Sequence, residues 1–154
     1  MNNHIPKKFI ISSCLLGINC RYDAGHKLNK KLYNIYQKNP ELFIVVCPEE
    51  LGGLPTPRPP CEKFNNKIQT IDGIDKTSEY KKGAAKALNI IEKETSNNLQ
   101  GTNLEIAFVK SKSPMCGYKK VYDGTFTGAL TNGNGVFTEE LLKTYPNLKI
   151  ESID

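Results

Sequence analysis

The sequence has no tryptophan, two histidines and no long apolar run among its 154 residues. Its apolar stretches are too short to cross a bilayer, and its first residues lack the apolar region and the small-residue cleavage site of a secretion signal. We therefore expect no membrane partner and a cytoplasmic location.

Motifs for binding nucleotides or nucleic acids are also missing. No G-x-G-x-x-G or P-loop pattern follows a predicted strand, which disfavours a nucleotide-binding module. The net charge is +5, but all except two of the 21 basic residues are lysines scattered along the chain. Because no basic run is interleaved with aromatic residues, we expect no nucleic-acid polymer as partner.

The five cysteines include no close C-x-x-C pair. Their odd number argues against a disulfide framework in a reducing compartment. A structural zinc site normally uses four ligands with at least one close pair, so a zinc ribbon or finger is disfavoured. Two hypotheses are left, a thiol or metal centre assembled by the fold and a set of small buried hydrophobic residues.

Three apolar runs that lead to cysteines are the strongest pattern present. They cover residues 9–14, 43–47 and 106–109, the last followed by a Ser/Lys/Pro loop ending at Cys116. Apolar runs without polar alternation are typical of strands buried on both faces, as in parallel sheets. The carboxyl ends of such strands meet at one edge, where α/β folds bind ligands. We therefore expect Cys14, Cys47 and Cys116 to converge.

The segments between these strands show helical spacing or turn residues. A first helix is predicted to end at Asn39, and further helices are predicted over about 77–96 and 136–145, with Asn97-Asn98 ending the second. Segment 47–62 is predicted to be a stiff loop without regular structure, 64–75 a hairpin or edge strand, 122–128 a loop or hairpin, and 148–153 a strand. The predicted apolar face of the first helix comprises Leu28, Leu32, Ile35 and Tyr36, and that of the second comprises Tyr80, Ala84, Ala87, Leu88 and Ile91. These patterns predict a single α/β, Rossmann-like domain over 1–154, with a largely parallel central sheet and flanking helices.

Three thiolates at one sheet edge suit an iron–sulfur cluster with one iron that lacks a protein ligand. Cys20 or Cys61 could supply a fourth ligand and close the coordination shell. The alternative function is therefore a non-catalytic cluster- or zinc-binding module that senses redox state or binds a partner.

The motifs around these cysteines resemble those of the DUF523 family, in the same order and over nearly the whole chain. They are Ser12-Ser13-Cys14-Leu15-Leu16-Gly17, Cys20-Arg21-Tyr22-Asp23, Cys47-Pro48-Glu49, residues 52–60, Lys112-Ser113-Pro114-Met115-Cys116-Gly117 and Tyr122-Asp123-Gly124-Thr125-Phe126. Members of that family include thiouracil desulfidases, which hold an oxygen-sensitive 4Fe-4S cluster by three cysteines and remove sulfur from a thiolated nucleobase.

The resemblance implies a role for each motif. Cys14, Cys47 and Cys116 would be the metal ligands of a 4Fe-4S cluster that is easily lost in air, Glu49 the catalytic acid/base, and Ser113 a polar catalytic partner. The implied enzyme is a desulfidase acting on a small thiolated heterocycle such as thiouracil, whose thiocarbonyl becomes a carbonyl while hydrosulfide is released.

Other residues have weaker or competing assignments. Arg58, Asp23, Gly52 and Gly53 are candidates for binding the polar edge of the substrate. Glu50 competes with Glu49 as the acid/base, and Ser113 before Pro114 also fits a simple turn. Cys20 is not a ligand on this resemblance, while Cys61 stands where the family pattern has a small residue.

Overall fold

The structure, a computed structural model, describes residues 7–96 and 103–154. Most of the segment used to exclude a secretion signal, and the predicted helix end at Asn97-Asn98, lie outside the described residues. Within them, no helix has the length and hydropathy needed to span a membrane. In chain order the elements are β1 (Lys7–Ser12), α1 (Lys30–Lys38), β2 (Phe43–Val46), α2 (Pro48–Leu51), β3 (Cys61–Phe64), β4 (Lys67–Thr70), α3 (Thr77–Ser96), β5 (Asn103–Lys110), β6 (Lys120–Tyr122), β7 (Leu130–Asn132), α4 (Val136–Thr144) and β8 (Lys149–Ile153).

A four-stranded parallel sheet lies at the centre, in the order β2-β1-β5-β8. Ser12 pairs with Val46 on one side of β1, and Ile11 pairs with Phe108 on the other. The ends of β1 and β2 are therefore level, and β5 ends about one residue further on. The α/β fold with a parallel central sheet is confirmed.

Both faces of the sheet are covered, which explains why the strands lack polar alternation. Ile10 and Ile44 face a core completed by α3 and α4, and both are almost completely buried. Ile11 and Phe43 belong to a second core on the opposite face, where α1 packs. Neighbouring residues of one strand thus supply two separate hydrophobic cores.

The buried face of helix α1 differs from the predicted one. Asn29 caps it by accepting a hydrogen bond from the N–H of Leu32 at 3.0 Å, so Leu28 lies outside the helix. Leu32 is buried and Tyr36 packs edge-on against Phe43 at 5.8 Å between ring centroids. Ile35 is 41% exposed, so its assignment to the buried face was wrong. The predicted end at Asn39 is correct.

The proline-rich segment is more regular than predicted. Pro48 begins the one-turn helix α2, where its fixed φ and missing N–H are compatible with a first helical position. Cys61 then starts β3, which pairs with β4 through a turn in which Asn65 and Asn66 both have positive φ. The expectation of no regular structure over 47–62 is wrong, and the predicted hairpin lies a few residues earlier than expected. Segment 122–128 covers the last residue of β6 and most of the connection to β7, with which β6 forms a second hairpin.

Helix α2 lies directly against the backbone of α3. A Cβ added to Gly83 would lie 1.9 Å from the carbonyl oxygen of Pro48, and one added to Gly52 would lie 2.1 Å from that of Glu79. No side chain fits at either position. This contact fixes α2, and with it Cys47 and Glu49, to the longest helix.

We predict that Gly83→Ala destabilises the protein by about 1–3 kcal/mol, because the new methyl group collides with backbone atoms. In an ordinary helix interior the same change would stabilise by about 1 kcal/mol. Chemical denaturation monitored by circular dichroism measures the difference. Ala85→Gly, at an exposed position of α3, provides the reference for helix propensity alone, and a Gly83→Ala protein more stable than wild type would contradict the packing account.

Candidate functional site

A cavity of about 670 Å³ lies beyond the carboxyl ends of β1, β2 and β5. This volume is in the range of small-molecule sites. In the order β2-β1-β5-β8, the chain after β1 leads to β2 on one side, and the chain after β5 leads to β8 on the other. The cavity lies where this direction changes, which is the usual ligand position in such sheets. Five cysteines line it, Cys14, Cys20, Cys47, Cys61 and Cys116. The predicted convergence of three thiols is therefore observed.

Local backbone structure positions the cysteines that follow the strands. Cys14 lies in a 3-10 turn over Ser13–Leu16, and its carbonyl accepts the N–H of Lys27 at 2.8 Å. Cys47 immediately precedes α2. Cys116 is held through its carbonyl, which accepts the hydroxyl of the buried Thr138 at 2.8 Å.

Cys20 lies between Cys14 and Cys47 and is only 2% exposed. The pKa of Cys20 is raised because its proton is held by the sulfurs of both neighbours. The pKa of Cys14 is lowered, first by that hydrogen bond from Cys20 and then by the positive charges of Arg21 and Lys110. The pKa of Cys47 is lowered chiefly by the same thiol. The three sulfurs therefore form one interacting group.

Cys116 differs from that group. Burial raises the pKa of its thiol well above the ordinary value, and a hydrogen bond with Ser12 opposes this only in part. Burial likewise raises the pKa of Cys61. In the metal-free chain these two thiols, like that of Cys20, thus favour the protonated form.

Arg58 is buried and all of its guanidinium N–H groups have acceptors in the protein. Nε and Nη2 donate to Oε2 of Glu49, and Nη2 also donates to the carbonyl of Cys20 at 2.9 Å. Nη1 donates to the carbonyl of Pro55 at 3.1 Å and to Thr56 Oγ1 at 3.0 Å. A guanidinium has five N–H groups, and these contacts use all five. A substrate contact by Arg58 would have to replace one of them.

Glu49 and its neighbour Glu50 have different surroundings in the structure. The Glu49 side chain is 16% exposed and lines the cavity. Its charge also raises the pKa of Cys61 and Cys116, after burial as the main cause, so the carboxylate lies near these thiols. Glu50 is exposed, does not line the cavity, and accepts the hydroxyl of Thr56 at 2.8 Å.

Ser113 lines the cavity with a half-buried side chain. Its Oγ accepts the backbone N–H groups of Met115 and Cys116, each at 3.1 Å. A hydroxyl has two lone pairs and one hydrogen, so the oxygen is occupied and the hydrogen is left to donate. The predicted turn and the predicted polar role are therefore compatible.

The structure does not bring Asp23, Gly52 and Gly53 to the cavity. The Asp23 carboxylate is exposed and accepts hydrogen bonds from Arg21 and from the N–H of Gly25. Gly52 packs directly against the backbone of α3, and Gly53 has a positive φ of 89°.

Sequence reasoning missed several residues of the cavity wall. Tyr80 was assigned only to the apolar face of its helix, yet it is 2% exposed, lines the cavity and contacts Cys61. Lys110 ends β5 beside Cys14, and burial and the nearby Arg21 lower its pKa. Ser12 stands in the first cysteine motif, which is the one signal that could have identified it.

The fold and the cavity define an α/β protein whose parallel sheet presents buried thiols and a paired carboxylate at one edge. The sequence model of the 2-thiouracil desulfurase family matches residues 9–152. The chain belongs to that family.

Two further comparisons agree with this assignment. The protein YbbK of Bacillus subtilis strain 168 is 36% identical over 144 residues, which cover 87% of this chain and 88% of YbbK. A solved structure described as the [4Fe-4S]-dependent thiouracil desulfidase TudS (DUF523Vcz) superposes with a TM-score of 0.81 at 33% identity, covering 95% of this chain and 90% of that one. The predicted resemblance to DUF523 is confirmed.

We predict that iodoacetamide modifies Cys14 and Cys47 before Cys116 and Cys61 in the reduced, metal-free protein near neutral pH. Cys14 and Cys47 have lowered pKa values, so a larger fraction of each is the reactive thiolate, whereas the pKa values of Cys116 and Cys61 are raised. Timed alkylation followed by peptide mass spectrometry gives the order.

Cys20→Ala is the matched variant, since it removes the thiol that lowers both values. It should slow the modification of Cys14 and Cys47 but leave Cys61 unchanged. Modification of Cys116 ahead of Cys14 and Cys47 would show that the thiols are arranged differently.

Proposed function

We propose that this chain is a desulfidase that uses a 4Fe-4S cluster to convert the thiocarbonyl of a small heterocycle such as thiouracil into a carbonyl, releasing hydrosulfide. The observation that supports this most directly is the convergence of Cys14, Cys47 and Cys116 on one cavity that also contains a partly buried carboxylate, that of Glu49. The desulfidase description of TudS supports it independently.

The donor set fits the cluster. Cys14, Cys47 and Cys116 would be its ligands, and soft thiolates are the usual ligands of iron–sulfur clusters. The three thiols are largely buried, and Cys116 is influenced by the charges of the other two. When bound, the cluster would supply a Lewis-acidic iron for the sulfur of the substrate.

Glu49 is proposed as the general base and acid. Its carboxylate would accept a proton from the water that adds to the thiocarbonyl carbon, and would return a proton to the departing sulfur. Arg58 holds one carboxylate oxygen, Oε2, by two N–H groups. The other oxygen is therefore the one proposed to contact water.

Ser113 is proposed as a hydrogen-bond donor. Because its oxygen already accepts two backbone N–H groups, the hydroxyl is poorly suited to act as a nucleophile. It would orient the heterocycle or the water through its hydrogen. The substrate itself would be a small molecule, held in a cavity whose wall includes Tyr22 and Phe126.

We also infer that residues 1–154 act as one domain and that the enzyme works in the cytoplasm. The family match spans residues 9–152, and the five cysteines are all free thiols. Free thiols in this number suit a reducing compartment.

The test is anaerobic reconstitution with iron and sulfide, followed by iron counting and an assay of hydrosulfide released from 2-thiouracil. We predict four irons per chain and activity in wild type, and loss of both in Cys14→Ser, Cys47→Ser and Cys116→Ser. Cys20→Ser and Cys61→Ser should retain the cluster. A cluster that depends on Cys20 or Cys61 would have no open iron and would contradict the proposal.

We predict that Arg58→Lys lowers kcat about 10-fold and leaves KM nearly unchanged, since lysine cannot hold Oε2 of Glu49 by two N–H groups. Glu49→Gln should lower kcat by about 100-fold or more. Rates of hydrosulfide release measure both effects.

A double-mutant cycle shows whether Arg58 acts through Glu49. In the Glu49→Gln background, Arg58→Lys should cause little further loss of kcat. Full additivity, or a rise in KM as the main effect, would instead support direct substrate binding by Arg58.

A further inference from the structure

Cys20, Cys47 and Glu50 form a compact set of metal-ligating side chains. Their ligand atoms, two sulfurs and one carboxylate oxygen, all lie within 4.8 Å of one another. Zinc binds thiolate at about 2.3 Å and carboxylate at about 2.0–2.2 Å, so in a tetrahedral site two ligand atoms of one ion are about 3.5–3.8 Å apart, up to about 1 Å closer than the limit found here. A small closing movement would therefore bring all three onto a single ion.

The carboxylate of this set is held in place by the protein. Thr56 donates its hydroxyl to Glu50 Oε2 at 2.8 Å, and Arg58 Nη1 donates to Thr56 Oγ1 at 3.0 Å. Carboxylates that bind metals usually have such an outer hydrogen bond, which fixes their orientation. Glu50 thus differs from an ordinary exposed acidic residue.

This set is different from the three proposed cluster ligands. It contains Cys20 and Glu50, lacks Cys116, and shares only Cys47 with them. Cys20 and Cys47 line the cavity and Glu50 does not, so the set lies partly outside the cavity. Two thiolates with one carboxylate suit a borderline-soft divalent ion bound tetrahedrally.

We propose that the cluster-free chain binds one thiophilic divalent cation, of which Zn²⁺ is the first candidate, through Cys20, Cys47 and Glu50, with water in the fourth position. Because Cys47 belongs to both sets, ion and cluster cannot be bound together. Zinc would then keep the chain in a cluster-free form, a consequence that alone rests on the proposed function.

Cobalt titration of the reduced, cluster-free full chain under anaerobic conditions tests the site, since Co²⁺ takes zinc positions and gives sulfur-to-cobalt absorption. We expect one cobalt per chain, displaced by Zn²⁺. Cys20→Ser should abolish the sulfur-to-cobalt band. Glu50→Gln should weaken cobalt binding about 10-fold or more, and its exposed position puts folding at little risk.

Cys116→Ser and Cys61→Ser are the matched controls, and both should bind cobalt as wild type does. Failure of wild type to bind cobalt, retention of the band in Cys20→Ser, or its loss in Cys116→Ser would each overturn the proposal. Cluster loading is expected to show the opposite pattern, requiring Cys116 but not Cys20, so failure of this site and failure of the proposed function are distinguishable.

Discussion

The buried Arg58 guanidinium joins the two loops on which the candidate site depends. The backbone N–H of Arg58 donates to the carbonyl of Tyr22 at 2.8 Å, and its side chain donates to both the carbonyl of Cys20 and the carboxylate of Glu49. Removing one partner of a buried ion pair leaves an uncompensated charge and costs about 3–5 kcal/mol. The segment after β1, which contains Cys20 and Tyr22, and the segment after β2, which contains Glu49 and Arg58, are therefore fixed relative to each other.

The sheet supplies the rest of the geometry. Because β1, β2 and β5 are parallel neighbours, the residues that follow them meet without any long connection, and Cys14 and Cys47 need only one or two residues beyond their strands. Cys116 follows its strand at a greater distance and has its own support from Ser113 and Thr138. The thiols thus differ in how they are held, and Cys47 is the one shared between the proposed cluster and the proposed zinc ligands.

The parallel sheet and the meeting of three thiols could be predicted because apolar runs buried on both faces leave few other arrangements. Non-local contacts could not be predicted. Helical spacing places Tyr80 on a buried face but does not reveal that it reaches the cavity wall, and it does not show that Ile35 faces solvent. Gly52 is one of the weaker candidates for substrate binding in the sequence, and its close packing against Glu79 is a role that the sequence does not reveal. Arg58 was identified as a site residue, but its pairing with Glu49 depends on a loop whose course the sequence does not reveal.

The central claim is that a cluster held by three cysteines leaves one iron for the sulfur of the substrate. The Mössbauer spectrum of the anaerobically reconstituted protein, recorded with and without 2-thiouracil, tests it most directly. The account predicts that one iron of the four changes its parameters when 2-thiouracil is added, while three stay as they were. A spectrum that does not change, from a cluster whose irons all have protein ligands, would contradict it.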